Sequence, residues 1–245
     1  MNNIVYSFIL TTFAGLSTTL GFFTIFIKGD IKKIISFFLS FASGVMFIIS
    51  IIDLIPSSFN YLNNYYILFR LLIMLVFIIF GIIVSNYVNH FISKYESNKL
   101  KKVGFLSFIS IILHNIPEGI ITFMASQIDL KLGISLALAI SFHNIPEGIS
   151  IAIPLYYATK KKVKVFFVVL LAGLSELFGG ILTYLFLFKF INNQVMGILF
   201  SLIAGIMLNI SLFNLLKEGF SYHKKISIIG FIIGLILMYS SNLYI

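Results

Sequence analysis

The stretch that decides the fold is His114-Asn115-Ile116-Pro117-Glu118-Gly119, which recurs letter for letter as His143-Asn144-Ile145-Pro146-Glu147-Gly148. Each copy lies inside an apolar run long enough to cross a bilayer. Residues four apart in a helix share one face, so each copy would offer an imidazole nitrogen and a carboxylate to the same point in space. This arrangement is typical of metal ligands.

Each copy also places a proline inside the apolar run. Proline has no backbone N–H, so the carbonyl oxygens of Leu113 and Phe142, four residues earlier, would lose their usual helical partners. Irregular backbone at membrane depth usually lines a cavity. We therefore expect irregular backbone beside each histidine.

The composition excludes a soluble domain, because 60% of the 245 residues are hydrophobic and only 10% are charged. The absence of cysteine excludes disulfides, thiolate metal sites and cysteine nucleophiles. The net charge of +9 would suggest nucleic acid in a soluble chain. Here the positive charge is distributed according to membrane topology, and we expect no nucleic-acid partner.

Charge-poor runs of about 20 residues, the length that crosses the hydrocarbon core, predict an all-α polytopic membrane protein. The chain is expected to form a single transmembrane transporter domain over residues 1–245 with eight spans. These lie near 4–27, 34–55, 66–90, 103–126, 131–157, 164–188, 195–216 and 226–244.

The connections between the spans alternate in charge. Fourteen of the 17 Lys and Arg residues follow the first, third, fifth and seventh spans. Because basic residues mark cytoplasmic connections, we expect both termini to lie outside. The fourteen are Lys28, Lys32, Lys33, Lys94, Lys99, Lys101, Lys102, Lys160, Lys161, Lys162, Lys164, Lys217, Lys224 and Lys225.

Internal repeats suggest how the spans are arranged. Ala14–Gly21 in span one matches Ala172–Gly179 in span six, and Ser43–Leu54 in span two matches Ala204–Leu215 in span seven. The matched spans run in opposite directions under the predicted topology, which gives a 3+2+3 inverted repeat. Small residues also recur wherever helices pack closely, and span three shows no clear echo in span eight.

Three carboxylates lie near the middle of spans four, five and six: Glu118, Glu147 and Glu176. An ionisable group at this depth costs several kcal/mol unless it is protonated, paired or hydrated. The spans hold no interior Lys or Arg, so a bound cation is the expected counter-charge. The predicted metal ligands are His114, Asn115, Glu118, His143, Asn144, Glu147 and Glu176.

Imidazole, carboxylate and amide donors suit Zn²⁺, Fe²⁺, Mn²⁺, Co²⁺ or Cd²⁺, whereas missing thiolates disfavour Cu(I). An all-oxygen Ca²⁺ or Mg²⁺ site would not need histidine. We expect these ions as cargo and no separate cofactor. Asp53 and Asn214 either line the two mouths of the pathway or are solvated helix ends.

At the two hexapeptides the sequence resembles the ZIP (Zrt/Irt-like) family of metal-ion transporters, and within it the bacterial ZupT branch, over essentially the whole chain. The resemblance implies eight helices, termini outside, a two-metal centre and transport toward the cytoplasm of a bacterial cell. One metal position would use His114, Glu118, His143 and Glu147. The other would use Asn115, Asn144 and Glu176, with a motif glutamate bridging.

Two departures from the family pattern are visible. Residues 91–102 contain no histidine, so metal sensing by this connection is not expected. The charged pattern at the outer end of span two is reduced to Asp53-Leu54-Ile55-Pro56, which predicts a weak entry site.

The expected function is secondary transport of divalent metal ions across the cell membrane, not enzymatic catalysis. An intramembrane metalloprotease would need two histidines four apart with an adjacent glutamate, and the spacing here is His-x-x-x-Glu. A proton- or Na⁺-coupled solute carrier would leave the paired histidines unexplained. The expected partners are divalent metal ions and the lipid bilayer, and a homodimer stays open.

Overall fold

The computed structural model describes residues 2–187 and 190–242, which form eight helices and no β-strand. The prediction of an all-α membrane protein is confirmed. The helices are α1 (Asn2–Ser17, then 3₁₀-helical Thr18–Phe26), α2 (Ile31–Ile49, a π-helical turn Ser50–Leu54, then Ile55–Tyr61), α3 (Ile67–Tyr95), α4 (Lys99–Ile128), α5 (Leu130–Thr159), α6 (Lys162–Leu182, then π-helical Thr183–Leu187), α7 (Asn193–Asn209, π-helical Ile210–Leu216, then Lys217–Tyr222) and α8 (Lys224–Asn242).

Helices α1 to α7 are long and apolar enough to cross a membrane, as far as the described residues go. The predicted eighth span corresponds to α8, and its positions 243 and 244 lie outside the described residues, as does position 188 of the sixth. The count of eight membrane crossings therefore stays a prediction.

The helices form two groups. In the first bundle, α1, α4, α5 and α6 pack against one another; in the second bundle, α2 packs on α8 and α7, and α3 packs on α7. The two bundles meet mainly where α2 lies against α5 and where α4 lies against α3 and α7. All seven predicted ligands belong to the first bundle.

The prolines of the hexapeptides do not interrupt their helices. α4 continues through Pro117, and α5 continues through both Pro146 and Pro154. The expectation of irregular backbone beside the histidines is therefore wrong. A helix packed on all sides tolerates the loss of single hydrogen bonds, and neighbouring elements can compensate for it. The π-helical turns occur instead in α2, α6 and α7.

Side-chain caps fix where five of the helices begin. Asp30, Asn98, Asp129 and Asn192 each accept a hydrogen bond from a backbone N–H in the first turn of α2, α4, α5 and α7. His223 Nδ1 accepts one from the N–H of Ile226 in the first turn of α8. Such caps satisfy donors that have no partner inside the helix. α6 has no equivalent: Lys161, at its N-cap position, makes no side-chain cap, and α3 also begins without one.

Asp129 is also the whole connection between α4, which ends at Ile128, and α5, which begins at Leu130. Its backbone N–H donates to the carbonyl oxygen of Ala125 in α4. One residue therefore ends one hexapeptide helix and caps the next.

The close helix crossings occur in matching pairs. A Cβ at Gly119 would overlap the carbonyl oxygen of Glu176, and a Cβ at Gly148 would overlap the carbonyl oxygen of Thr18. Gly119 and Gly148 end the two hexapeptides, and Thr18 and Glu176 occupy equivalent positions in the aligned stretches of spans one and six. Close backbone approach thus requires glycine at both crossings.

A second matching pair involves α3 and α8, the two spans with no clear sequence echo. A Cβ at Gly81 of α3 would overlap the carbonyl oxygen of Leu202 in α7, and a Cβ at Gly234 of α8 would overlap that of Phe41 in α2. The alignment of spans two and seven places Phe41 opposite Leu202. The contact of α3 with α7 therefore matches the contact of α8 with α2.

Candidate metal centre

The seven predicted ligands lie in the interior of the first bundle. None is more than 3% exposed, and five are fully buried. The two hexapeptides lie in the middle of α4 and α5, two helices that are long and apolar enough to cross a membrane. The centre therefore combines charged groups with complete exclusion from the surface.

The histidines and glutamates pair between the two copies of the hexapeptide. His114 Nε2 lies 3.0 Å from Glu147 Oε1, and His143 Nε2 lies 3.5 Å from Glu118 Oε1. The sequence spacing placed the histidine and the glutamate of each copy on one helix face and did not specify their partners. The contacts cross from α4 to α5 and back.

These short distances do not satisfy the side chains. Both oxygens of Glu118 and of Glu147 lack a hydrogen-bond partner, and so do both nitrogens of His114 and Nε2 of His143. Buried polar atoms without partners are costly and rare in folded proteins. In the described part of the chain, no Lys or Arg forms an ion pair with either glutamate. These oxygen and nitrogen atoms without hydrogen-bond partners are the ones that a cation would use as ligands.

The side-chain amide nitrogens of Asn115 and Asn144 donate hydrogen bonds to the backbone of neighbouring helices, whereas their side-chain oxygens have no partner. Asn115 Nδ2 donates to the carbonyl oxygen of Ala172 at 3.2 Å, and Asn144 Nδ2 donates to that of Ala14 at 2.9 Å. Ala14 and Ala172 are aligned in the repeat. Neither Asn115 Oδ1 nor Asn144 Oδ1 has a partner.

Glu176 lies beside this arrangement on α6. Its Oε2 accepts a hydrogen bond from Asn144 Nδ2 at 2.8 Å, whereas its Oε1 is buried without a partner. Electrostatic interactions reach it from both Glu118 and Glu147. The structure therefore brings the third predicted carboxylate next to both hexapeptides.

The side chains are not arranged as a closed coordination shell. Among residues 2–187 and 190–242, no three His, Asp or Glu groups stand together in a geometry that could hold one ion. Four of the seven residues form the two crossed His–Glu pairs, Glu176 accepts a hydrogen bond from Asn144, and Asn115 donates to the backbone of α6. Their nitrogen and oxygen donors are the types that Zn²⁺ and similar transition metals use.

Asp53 lies closer to the centre than its sequence position suggested. It is the one acidic residue between Ile31 and Tyr61 and lies in the π-helical turn of α2. Ser57 Oγ donates to Asp53 Oδ1 at 3.2 Å, and electrostatic interactions link Asp53 with His143 and Glu118. An isolated acid in an apolar span is the signal that could have identified it.

The sequence reading missed a polar link between α3 and α7. Asn209 Nδ2 donates to Ser85 Oγ at 2.9 Å and to Asn86 Oδ1 at 3.1 Å. One turn further along, Asn89 Nδ2 donates to Asn214 Oδ1 at 3.3 Å. Asn214 is therefore a buried member of a helix contact and not a solvated helix end.

Comparisons with known proteins agree over nearly the whole chain. A family model described as ZIP zinc transporter matches residues 96–242. The zinc transporter ZupT of Oceanobacillus iheyensis is 37% identical, covering 97% of this chain and 97% of that protein. ZupT of Streptococcus mutans is 37% identical over 95% of this chain, and ZupT of Akkermansia muciniphila is 35% identical over 97%.

Proposed function

Because the chain belongs to the ZIP zinc transporter family, we propose that it carries Zn²⁺ and related divalent transition metals across the cell membrane into the cytoplasm. The chain is a multi-pass membrane protein, and the relatives that it matches are bacterial. Fe²⁺, Mn²⁺, Co²⁺ and Cd²⁺ prefer similar donors and complete the proposed substrate range.

The observation that carries the proposal is the pair of crossed, buried His–Glu contacts, to which no Lys or Arg of the described residues is paired. A carboxylate in the middle of a membrane protein needs a counter-charge. A divalent cation supplies it to two carboxylates at once and also uses the imidazole nitrogens. Na⁺ would leave the imidazole nitrogens without a ligand role, and a proton would neutralise one side chain only.

We assign one metal position to the four paired side chains and a second position to the free amide oxygens with Glu176. The first position is supported by the short contacts between α4 and α5, and the second by the orphaned oxygen atoms beside Glu176. The proposed ligands are His114, Glu118, His143 and Glu147 for the first, and Asn115, Asn144 and Glu176 for the second, with a motif glutamate bridging.

The proposed architecture has eight membrane crossings, both termini outside, and a 3+2+3 inverted repeat. The matching glycine crossings support the repeat, including the contacts of α3 and α8. The π-helical turns of α2 and α7 also fall on aligned positions. Inverted repeats with a polar site at their junction are typical of transporters that expose the site alternately to each side.

The competing functions find less support. Metalloproteases place two histidines on one face of one helix, whereas His114 and His143 lie on different helices and each contacts a glutamate of the other copy. A carrier of organic solutes would need a cavity at the carboxylates large enough for its cargo. The groups at this centre are in direct contact.

Zn²⁺ uptake by purified protein in liposomes, followed with a trapped fluorescent indicator, tests the proposal. Glu147→Gln should lower the uptake rate at least about tenfold, because it removes a charged ligand while preserving size. Glu96→Gln is the matched control, since Glu96 lies in the α3–α4 connection and binds Lys101, which lowers the pKa of its carboxyl group. Equal uptake by wild type and Glu147→Gln would contradict the assignment.

A further inference from the structure

A cavity of about 400 Å³ lies at one end of the molecule, where the end of α1, the start of α2, the end of α5 and the start of α6 meet. It lies apart from the metal centre. One part of its wall is apolar and includes Ile25, Ile27 and Ile31, and the other part carries Lys28, Lys160 and Lys162. The three lysines belong to connections for which the charge distribution predicts a cytoplasmic location.

The positive charge in this cavity is not neutralised. Among the described residues, Lys28, Lys160 and Lys162 form no ion pair, and the ion-paired lysine is Lys101. Asp30, the acidic residue nearest in sequence, accepts a hydrogen bond from the backbone N–H of Lys32 as the cap of α2. The cavity is therefore cationic, with no acidic side chain among its lining residues.

Aromatic rings hold two of the lysines in place. The Lys160 ammonium lies 4.4 Å from the ring centre of Tyr157 and 5.2 Å from that of Tyr156, and Lys162 lies 4.8 Å from that of Phe26. Ring faces attract a cation without neutralising it. The ammonium groups are thus positioned but keep their charge available for an anion.

The backbone contributes a further positive feature. α6 begins at Lys162 without a side-chain cap, so the backbone donors of its first turn have no capping acceptor, and helix N-termini attract anions. Lys160 ends α5 in the left-handed conformation, with a φ of 58°, and its backbone N–H donates to the carbonyl oxygen of Tyr156. This cap fixes the backbone of Lys160 between the end of α5 and the start of α6.

We propose that this cavity binds the phosphate headgroup of an anionic phospholipid from the cytoplasmic leaflet. The lysines and the uncapped start of α6 meet the phosphate, and the isoleucines accommodate the glycerol and the first part of an acyl chain. Basic pockets between membrane helices on the cytoplasmic side are suited to such headgroups. Inorganic phosphate carries the same negative charge but has no apolar group that could contact the isoleucines.

Native mass spectrometry of the purified protein, released from micelles containing phosphatidylglycerol or phosphatidylcholine, tests the proposal. Wild type should retain phosphatidylglycerol in preference to phosphatidylcholine. The double variant K160Q/K162Q should bind phosphatidylglycerol about tenfold to thirtyfold more weakly. The matched control K224Q/K225Q removes the same charge at the start of α8, outside the cavity, and should change binding less than about threefold.

Three outcomes would overturn the proposal. Unchanged lipid retention by K160Q/K162Q would show that the cavity does not bind the headgroup. Equal weakening by K224Q/K225Q would show general attraction of lipid to a basic surface. Displacement of phosphatidylglycerol by inorganic phosphate would identify free phosphate as the ligand. If K160Q/K162Q fails to fold, Lys28→Gln, in the exposed connection after α1, should weaken retention by itself, and full retention would contradict the proposal.

Discussion

At the scale of single residues, Glu176 breaks the match between the aligned sequence stretches of spans one and six. Its aligned partner is Thr18, which is also fully buried and whose hydroxyl has no hydrogen-bond partner. Both lie against the glycine that ends a hexapeptide. The centre is therefore asymmetric, with an added negative charge on the side of α6.

This asymmetry allows a test of the two-metal assignment. Glu176→Gln should reduce bound Zn²⁺ on the purified protein from about two ions per chain toward one, because the first position keeps its four nitrogen and oxygen ligands. Elemental analysis of the metal-loaded protein measures the ratio. Transport should change in rate or metal preference more than it is abolished.

Glu96→Gln serves as the control and should keep the wild-type ratio. An unchanged ratio in Glu176→Gln would mean that this carboxylate holds no ion. Loss of all bound metal would mean that it supports the first position. Either result would remove the two-metal assignment.

The sequence predicted which residues would meet but not how they would pair. Two identical motifs in apolar runs, with one further carboxylate, identified the residues of the three side-chain contacts, which are His114 with Glu147, His143 with Glu118 and Asn144 with Glu176. The cross-pairing of His114 with Glu147 depends on how α4 and α5 rotate against each other, which local spacing does not determine. The sequence left Asp53 either at a mouth of the pathway or at a solvated helix end, because its electrostatic interactions with His143 and Glu118 depend on how α2 packs against α5.

At the scale of helices, adjacent glycines on α6 offer a matched comparison. A Cβ at Gly179 would overlap the carbonyl oxygen of Ile116, inside the first hexapeptide. A Cβ at Gly180 would have Thr11 Cγ2 as its nearest atom, at 3.3 Å. The added methyl group would therefore overlap backbone atoms at position 179, whereas at position 180 it would contact only a side-chain methyl group.

Gly179→Ala should therefore lower the free energy of unfolding by about 1–3 kcal/mol, the usual cost of overpacking. Gly180→Ala should be nearly neutral, because alanine favours the helix by up to about 1 kcal/mol over glycine. Thermal unfolding of both variants in the same detergent gives the comparison. Equal melting temperatures for the two variants would show that α6 does not press on the hexapeptide backbone.

Helix positions were predictable because apolar runs of membrane length leave few alternatives. The local backbone geometry within the helices was not predictable. Proline suggested irregularity in α4 and α5, but tight packing keeps both helices continuous. The π-helical turns fall in α2, α6 and α7; Pro56 follows the turn of α2 and Gly179-Gly180 precede that of α6, whereas the sequence signals singled out the hexapeptide prolines.

At the scale of the whole molecule, the absence of cysteine makes topology directly testable. Ser97 lies in the connection between α3 and α4, and Asn193 lies at the start of α7; both are exposed. The charge distribution predicts Ser97 inside and Asn193 outside. An impermeant maleimide applied to intact cells should label Asn193→Cys but not Ser97→Cys.

Permeabilised cells provide the control, because both variants should then be labelled equally. Labelling of Ser97→Cys in intact cells would show that the orientation is the opposite of the predicted one, with the cationic cavity on the outer face. The sequences of spans one, two, six and seven predict the repeat by their matching residues. The sequences of α3 and α8 show no such match, and what supports their proposed equivalence is the glycine contacts with α7 and α2.

The single-residue connection at Asp129 restricts how the centre can open. For α4 to slide past α5 by one helical turn, about 5.4 Å, the connection would have to lengthen by more than one residue can span, and the cap of α5 would be lost. Sliding of α4 along α5 is therefore restricted, and we expect the two hexapeptide helices to move together as one hairpin. Under the proposed alternating access, the ligands of the first metal position would then stay together while the hairpin shifts relative to its neighbours, including α6 with Glu176.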